Sequence, residues 1–242
     1  MRVVVTRPRH SGERTARRLA QMGHEALLLP LSTPIHDTEA AGHALSETQG
    51  TIAVTSAEAI RALAALGEAI RPHLHRPLFA VGKATAKEAG TLGFTRVLAS
   101  DGSGVELAEL IAHDSSGTAR PPLLYLAGSP RAAGFETRLA ELNIPLRIAE
   151  CYHMRDAEPD DAALRALFLG DRTETVLLYS RQTALRFFGL PLLRRQPEIL
   201  AETWFFCLSE AIAETVPTAF AARTKIAAMP DEDSLLALLM TE

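Results

Sequence analysis

The pattern that most restricts this chain is the regular exchange of short apolar runs with segments of helical period. The runs "RVVV", "ALLL", "TIAV", "LFAV", "RVLA", "LLYL", "RIAE", "TVLLY", "TWFFC" and "KIAA" follow one another along the chain and end in turn-forming residues. They are rich in branched or aromatic side chains and show little polar alternation. That is how strands buried on both faces of a parallel sheet read. Between them Ala16, Leu19 and Ala20 mark one helix face, as do Ile60, Leu63 and Ala64, or Leu235, Leu236 and Leu239. Strict β-α alternation predicts parallel sheets with right-handed crossovers.

Ten strands are many for one sheet, so two sheets of about five are expected. The chain also resembles itself. "VVVTRP" parallels "LYLAGSPR", "VTSAEAIRAL" parallels "LYSRQTALRF", "FAVGKATAKEAGTLG" parallels "FFCLSEAIAETVPTAF", and "DGSGVELAELI" parallels "MPDEDSLLALL". The offsets stay near 121 to 127. Four matches in one order predict a duplicated α/β unit. The fold expected is therefore α/β, with two similar lobes, each a parallel five-stranded sheet flanked by helices. With 242 residues, 47% of them hydrophobic, there is material for both cores. "PLSTPIHD" (Pro30–Asp37) and "CYHMRDAEPDD" (Cys151–Asp161) are too short for loose tethers and read as a paired, two-stranded hinge between the lobes.

Several functions are disfavoured at this stage. No stretch approaches the roughly 18 uninterrupted apolar residues of a membrane span. "MRVVVTRPRHSGERTARR" is too charged and its apolar run too short for a secretory signal, so a cytoplasmic protein is expected. Cys151 and Cys207 lie in apolar surroundings and read as buried small hydrophobes. The eight histidines are scattered and form no HExxH, and no CxxC or acidic metal loop occurs, so no metal is expected. A formal charge of −4 argues against a nucleic-acid partner. Gly82 in "AVGKATA" and "DGSG" at Asp101–Gly104 fall short of a phosphate-loop or dinucleotide fingerprint.

Chemistry is expected where strands end and helices begin, because helix N-termini carry unpaired N–H groups and partial positive charge. Small or hydroxylic residues stand at nearly every such point: Thr6, Thr55, Ser56, Gly82, Thr85, Ser103, Gly128, Ser129, Ser180 and Ser209. Singly, each reads as a helix cap stabilising its helix by about 1 kcal/mol. As a set on one face they suit a polyanion. Arg7 and Arg131 occupy equivalent places after the first strand of each repeat, as carboxylate clamps or as solvated loop charges. Tyr152 stands in the second crossover, where a phenol packs between lobes or donates a proton to a leaving hydroxyl. Tyr179, before Ser180, is a second phenol at a strand end.

Taken in order, "VVVTRP", "AVTSAEAI", "FAVGKATAKEAGTLGF", the "CYHM" crossover, "LLYSRQTALRF" and "PDEDSLLALL" resemble the uroporphyrinogen-III synthase family over essentially the whole chain. The resemblance implies one lobe from residues 1–34 with 155–242, a second from 37–150, and hinge segments at about 30–37 and 150–158. It implies a lyase that cyclises the linear tetrapyrrole hydroxymethylbilane with inversion of the terminal ring. Water is lost to give an azafulvenium cation, and the ring closes through a spiro intermediate. No metal or organic cofactor is implied. The partners implied are the small-molecule substrate and, transiently, the preceding pathway enzyme, with a monomer sufficing.

Carried over residue by residue, the resemblance makes Thr6, Arg7, Thr55, Ser56, Gly82, Thr85, Arg131 and Ser180 substrate contacts. Tyr152 becomes the catalytic residue that assists departure of the hydroxyl. Ser209 and Ile212 stand where the family often has glycine and threonine. This puts a hydroxyl contact there in doubt, although Ser209 still starts a helix well. Tyr179 replaces a common threonine, implying a differently shaped pocket. Because folds are reused, a non-catalytic two-lobed module that closes on a small anionic ligand is the alternative. A phosphosugar or nucleotide enzyme is disfavoured by the missing glycine fingerprints.

Overall fold

A computed structural model of the chain describes residues 1–100, 102–114, 121–170 and 173–240. Asp101 of the "DGSG" segment lies outside the described residues. Among the described residues there are eleven strands: β1 (Arg2–Val5), β2 (Glu25–Leu28), β3 (Ser32–His36), β4 (Ile52–Val54), β5 (Leu78–Val81), β6 (Val97–Ser100), β7 (Leu123–Ser129), β8 (Leu146–Asp156), β9 (Thr175–Leu178), β10 (Trp204–Cys207) and β11 (Thr224–Ile226). The ten apolar runs each fall on one of them. They form two sheets, ordered β11-β10-β9-β1-β2 and β3-β8-β7-β4-β5-β6. All neighbours in the first are parallel, as are those from β8 to β6 in the second.

The second sheet has six strands, not the five expected. The addition is β3, "STPIH", whose Pro34 has no N–H to donate and is tolerated at the sheet's edge. β8 also continues through "CYHMRD" as a single strand of 11 residues rather than stopping before a separate crossover. The chain divides into two compact units, unit 1 comprising Met1–Thr33 with Arg155–Glu242 and unit 2 Pro34–Met154.

Setting β3 aside, the two sheets have one topology. The order β2-β1-β9-β10-β11 corresponds to β8-β7-β4-β5-β6, strand for strand. Corresponding strands begin at Glu25 and Leu146, Arg2 and Leu123, Ile52 and Thr175, Leu78 and Trp204, and Val97 and Thr224. The self-similarity of the sequence is thus a repeat of a five-stranded arrangement.

Both faces of each sheet are covered, which is why the runs do not alternate. Val4, Val176, Leu178 and Phe205 join one apolar cluster while Val3, Val5, Leu177 and Phe206 join another. In unit 2, Ile52, Val54, Leu78, Leu124 and Leu126 face one way, and Ala53, Phe79, Leu123, Tyr125 and Ala127 the other. Helix starts are capped locally. Ser56, Ser180, Asp37, Asp160 and Asp231 each accept a backbone N–H, and Ser103 and Glu106 cap reciprocally.

Arg76 is only 3% exposed. It donates to the carbonyls of Gly50 (2.7 Å), Thr48 (3.2 Å) and Leu45 (3.3 Å), and to the Thr48 hydroxyl (3.0 Å). It thereby secures carbonyls at and beyond the end of the helix Thr38–Ser46. Burial lowers its pKa from the usual arginine value.

Candidate functional site

In a parallel sheet all carboxyl ends lie along one edge, and ligands gather where the strand order reverses. In unit 2 the reversal falls between β4 and β7, and in unit 1 between β9 and β1. Thr55 and Ser56 leave β4, while Gly128 and Ser129 end β7. Thr6 and Arg7 leave β1, and Ser180 opens the helix after β9. Most of the turns singled out in the sequence therefore flank one of two equivalent reversal points.

In unit 2, Ser56 accepts the Glu58 N–H at 3.2 Å and caps the helix Ala57–Ala64. The Thr55 hydroxyl is bonded to the Tyr125 hydroxyl at 2.8 Å. Tyr125 is 1% exposed, and burial, more than any charge, raises its pKa. Next along the edge is Gly82, whose φ of 78° suits glycine, leading into the helix Lys83–Leu92. Thr85 lies within that helix and is buried, so it is not a cap.

Tyr152 reaches the same edge from β8, opposite Gly128. A register shift between Ala127 and Gly128 leaves Cys151 as the extra residue, with its Sγ 3.6 Å from the Ala127 carbonyl. Burial pushes the Tyr152 phenol up to about 12, although the Ser56 side chain draws it partly back. It is protonated at any working pH. Cys151 is pushed up to about 12, chiefly by burial, and so is an inert thiol.

Arg131 is already engaged. It pairs with Glu136 and Glu150, each at 2.5 Å, and donates to the Gly128 carbonyl at 3.3 Å. The hydrogen bonds it donates to these two carboxylates raise its pKa further. Sequence reading missed a neighbouring network on the helix after Ser56. There Glu58, 7% exposed, meets His36 Nε2 at 3.1 Å and pairs with Arg61, which also holds Glu88 at 2.9 Å.

In unit 1, Thr6 is 1% exposed and donates its hydroxyl to the Leu177 carbonyl at 2.8 Å, tying β1 to β9. What Thr6 can present is its backbone. Arg7 pairs with Glu232 at 2.8 Å and stacks on Tyr179, 4.4 Å from the ring centre. Glu232 also accepts from Thr15 (2.5 Å), Tyr179 (3.2 Å) and Arg18 (3.1 Å). Burial alone would raise the pKa of Glu232, but the Thr15 bond and the charges of Arg7 and Arg18 prevail and lower it. Tyr179 is raised by its burial and by that carboxylate. Neither Glu232 nor Thr15 stood out in the sequence, since the signal would have been a pairing across more than two hundred residues.

Ser180 caps the helix Arg181–Gly189, accepting the Thr183 N–H at 3.1 Å. Ser209 precedes a helix of only four residues and makes no capping bond. Ile212, where the family often has threonine, is 5% exposed and belongs to the core.

Arg7, Arg61 and Arg131 at these edges are thus held by the chain's own carboxylates, whereas exposed Arg181 opens the helix after β9. Helix-start amides and hydroxyls, with Lys83 and Arg181 at the first positions of two of those helices, are what the edges offer an anion. A separate groove of about 720 Å³ in unit 2 is lined by Ala99, Leu110 and Ala112 together with Glu106, Glu109 and His113, and Glu109 is itself paired with Arg138. Among the described residues no group of three or more His, Cys, Asp or Glu is placed to hold a metal ion. None of their helices is long and apolar enough to cross a membrane.

Such an architecture defines a duplicated α/β protein with two parallel sheets whose reversal points are lined by hydroxyl and glycine turns. Residues 13–237 match the family model for uroporphyrinogen-III synthase HemD. The chain belongs to the uroporphyrinogen-III synthase family. Its fold is similar to that of uroporphyrinogen-III synthetase from Helicobacter pylori, at 16% identity and a TM-score of 0.67, covering 100% of this chain and 99% of that one. It is also similar to a mutant uroporphyrinogen III synthase from Thermus thermophilus, at 16% identity and a TM-score of 0.54, covering 100% and 96%. No curated protein sequence matches the chain.

Proposed function

We propose that this chain is an active uroporphyrinogen-III synthase, a cyclising hydro-lyase acting on hydroxymethylbilane. The observation that carries the reading, beside family membership, is the placement of amide-rich turns at both reversal points with a protonated phenol at one of them. The substrate is a flexible chain of eight carboxylates that closes on its own to the uninverted isomer. Holding it folded is therefore the main catalytic task, and orientation is the source of selectivity. Thr55, Ser56, Gly82, Thr85, Ser180, Ser209 and the backbone of Thr6 share the grip. Arg7 and Arg131 reach the substrate by exchanging Glu232, and Glu136 or Glu150, for its carboxylates.

Tyr152 donates its proton to the departing hydroxyl. The C–O bond breaks, water leaves, and the azafulvenium cation forms beside a phenolate. Burial disfavours that phenolate, but the cation born in the same step supplies its counter-charge at low dielectric. When the macrocycle closes, the proton released from the pyrrole carbon returns to the phenolate.

In this reading the segments at about 30–37 and 150–158 serve as a two-stranded hinge for the lobes 1–34 with 155–242 and 37–150. The passage of the chain between compact units at 33–34 and 154–155 supports it. The setting is the cytoplasm, which two free, buried cysteines suit. The preceding pathway enzyme is a transient partner because the bilane is unstable.

The test is to supply hydroxymethylbilane to purified protein, oxidise the product and resolve the isomers by chromatography. The inverted isomer above the spontaneous background is expected. Equal isomer ratios with and without protein exclude the reading.

A further inference from the structure

We infer that Gly128 is a positioning residue for the Tyr152 phenol, the missing side chain of β7 being the seat on which the ring of β8 rests. The inference deepens the proposed reaction and rests on the role given there to Tyr152.

The register shift that admits Cys151 as an extra residue puts Tyr152 directly across from Gly128. Cross-strand neighbours lean on each other, so the residue at 128 sets the height of the ring above the sheet. A Cβ at 128 would lie closer than 3.0 Å to Cζ, Cε2 and the hydroxyl oxygen of Tyr152. That is the reacting end of the side chain, not its stem.

Backbone conformation does not explain this glycine. The glycines with left-handed φ among the described residues are Gly23, Gly67, Gly82 and Gly93. Gly128 lies inside a strand, where glycine is ordinarily unfavourable. Its use is the close approach of the phenol. Restoring ordinary contact with a methyl group there displaces the hydroxyl by on the order of 1 Å, a misplacement that costs about a hundredfold in rate.

The experiment compares Gly128→Ala, Tyr152→Phe and their combination by kcat and KM, with thermal unfolding of each. Gly128→Ala is expected to lower kcat about as far as Tyr152→Phe does, to leave KM within about twofold, and to add nothing in the double variant. Multiplying losses, or wild-type kcat in Gly128→Ala, overturn the inference. An unchanged kcat in Tyr152→Phe overturns the role of Tyr152 itself, and so separates the two failures.

A second comparison stands even if Gly128→Ala folds poorly. Tyr152→Leu removes the ring, so adding Gly128→Ala to it is expected to leave its unfolding midpoint within a degree or two. An equal destabilisation by Gly128→Ala in both backgrounds shows that the glycine serves the strand and not the phenol.

Discussion

Replacing Glu232 by glutamine keeps the shape of the side chain and removes its charge. Its carboxylate accepts from Arg7, Thr15 and Tyr179 on one oxygen and from Arg18 on the other, with 20% of the side chain exposed. Glutamine offers one accepting oxygen, so its NH2 must face a guanidinium. One bond to a charged group, about 1.5–3 kcal/mol, is lost. Arg18 is 37% exposed, so water screens part of that loss, and about 2 kcal/mol is expected. At roughly 2–4 °C per kcal/mol the unfolding midpoint falls by about 4–8 °C near neutral pH.

The pH dependence follows from the depressed pKa. The folded state binds the Glu232 proton less readily than the unfolded chain, so the contribution is fully present above the ordinary value of 4.5. It disappears as pH falls through the lower folded value. Thermal unfolding of both proteins by circular dichroism, from about pH 7 to about pH 3, checks this. The gap between their midpoints narrows on acidification. Equal midpoints near neutrality, or a gap that stays constant into acid, refute the assignment of Glu232 as the hub of unit 1.

Tyr152→Phe is expected to lower turnover by about ten- to a hundredfold with the unfolding midpoint nearly unchanged, as read by single-turnover kinetics and melts. Because burial holds that phenol up to about 12, an alkaline fall in rate well below pH 12 should be as steep in Tyr152→Phe as in the parent. Thr55→Ala, Ser56→Ala and Ser180→Ala each keep activity within about tenfold, since main-chain donors share the grip. A thousandfold loss in any of them contradicts the shared grip. Arg76→Met leaves the carbonyls of Gly50, Thr48 and Leu45 without a donor, costing about 3 kcal/mol or more, seen as a lower denaturation midpoint.

Much of the fold was legible because the information is local. Val3–Val5 and Thr175–Leu178 are continuous apolar runs since both faces of their strands are covered, and the run itself reports that. The hydroxyls of Ser56 and Ser180 announce helix starts within three residues. The offset between repeats survives because equivalent strands keep equivalent patterns. β3 read as one of two paired strands of a hinge; its place as the edge strand of the second sheet, beside β8, where Pro34 is tolerated, was not legible.

The sequence by itself determined where strands and helices lie, that the arrangement is doubled, and that polar turns gather at the carboxyl ends. These depend on periodicity and capping, which act over a few residues. Tertiary structure alone decided that Arg7 faces Glu232, that Arg131 is held by Glu136 and Glu150, that Thr6 is consumed by Leu177, and that Tyr152 rests on Gly128. Those pairings form only once sheet order and register bring distant segments within about 3 Å, the range at which a hydrogen bond exists at all. A guanidinium's availability depends on its neighbours in space, and the linear order of residues does not state them.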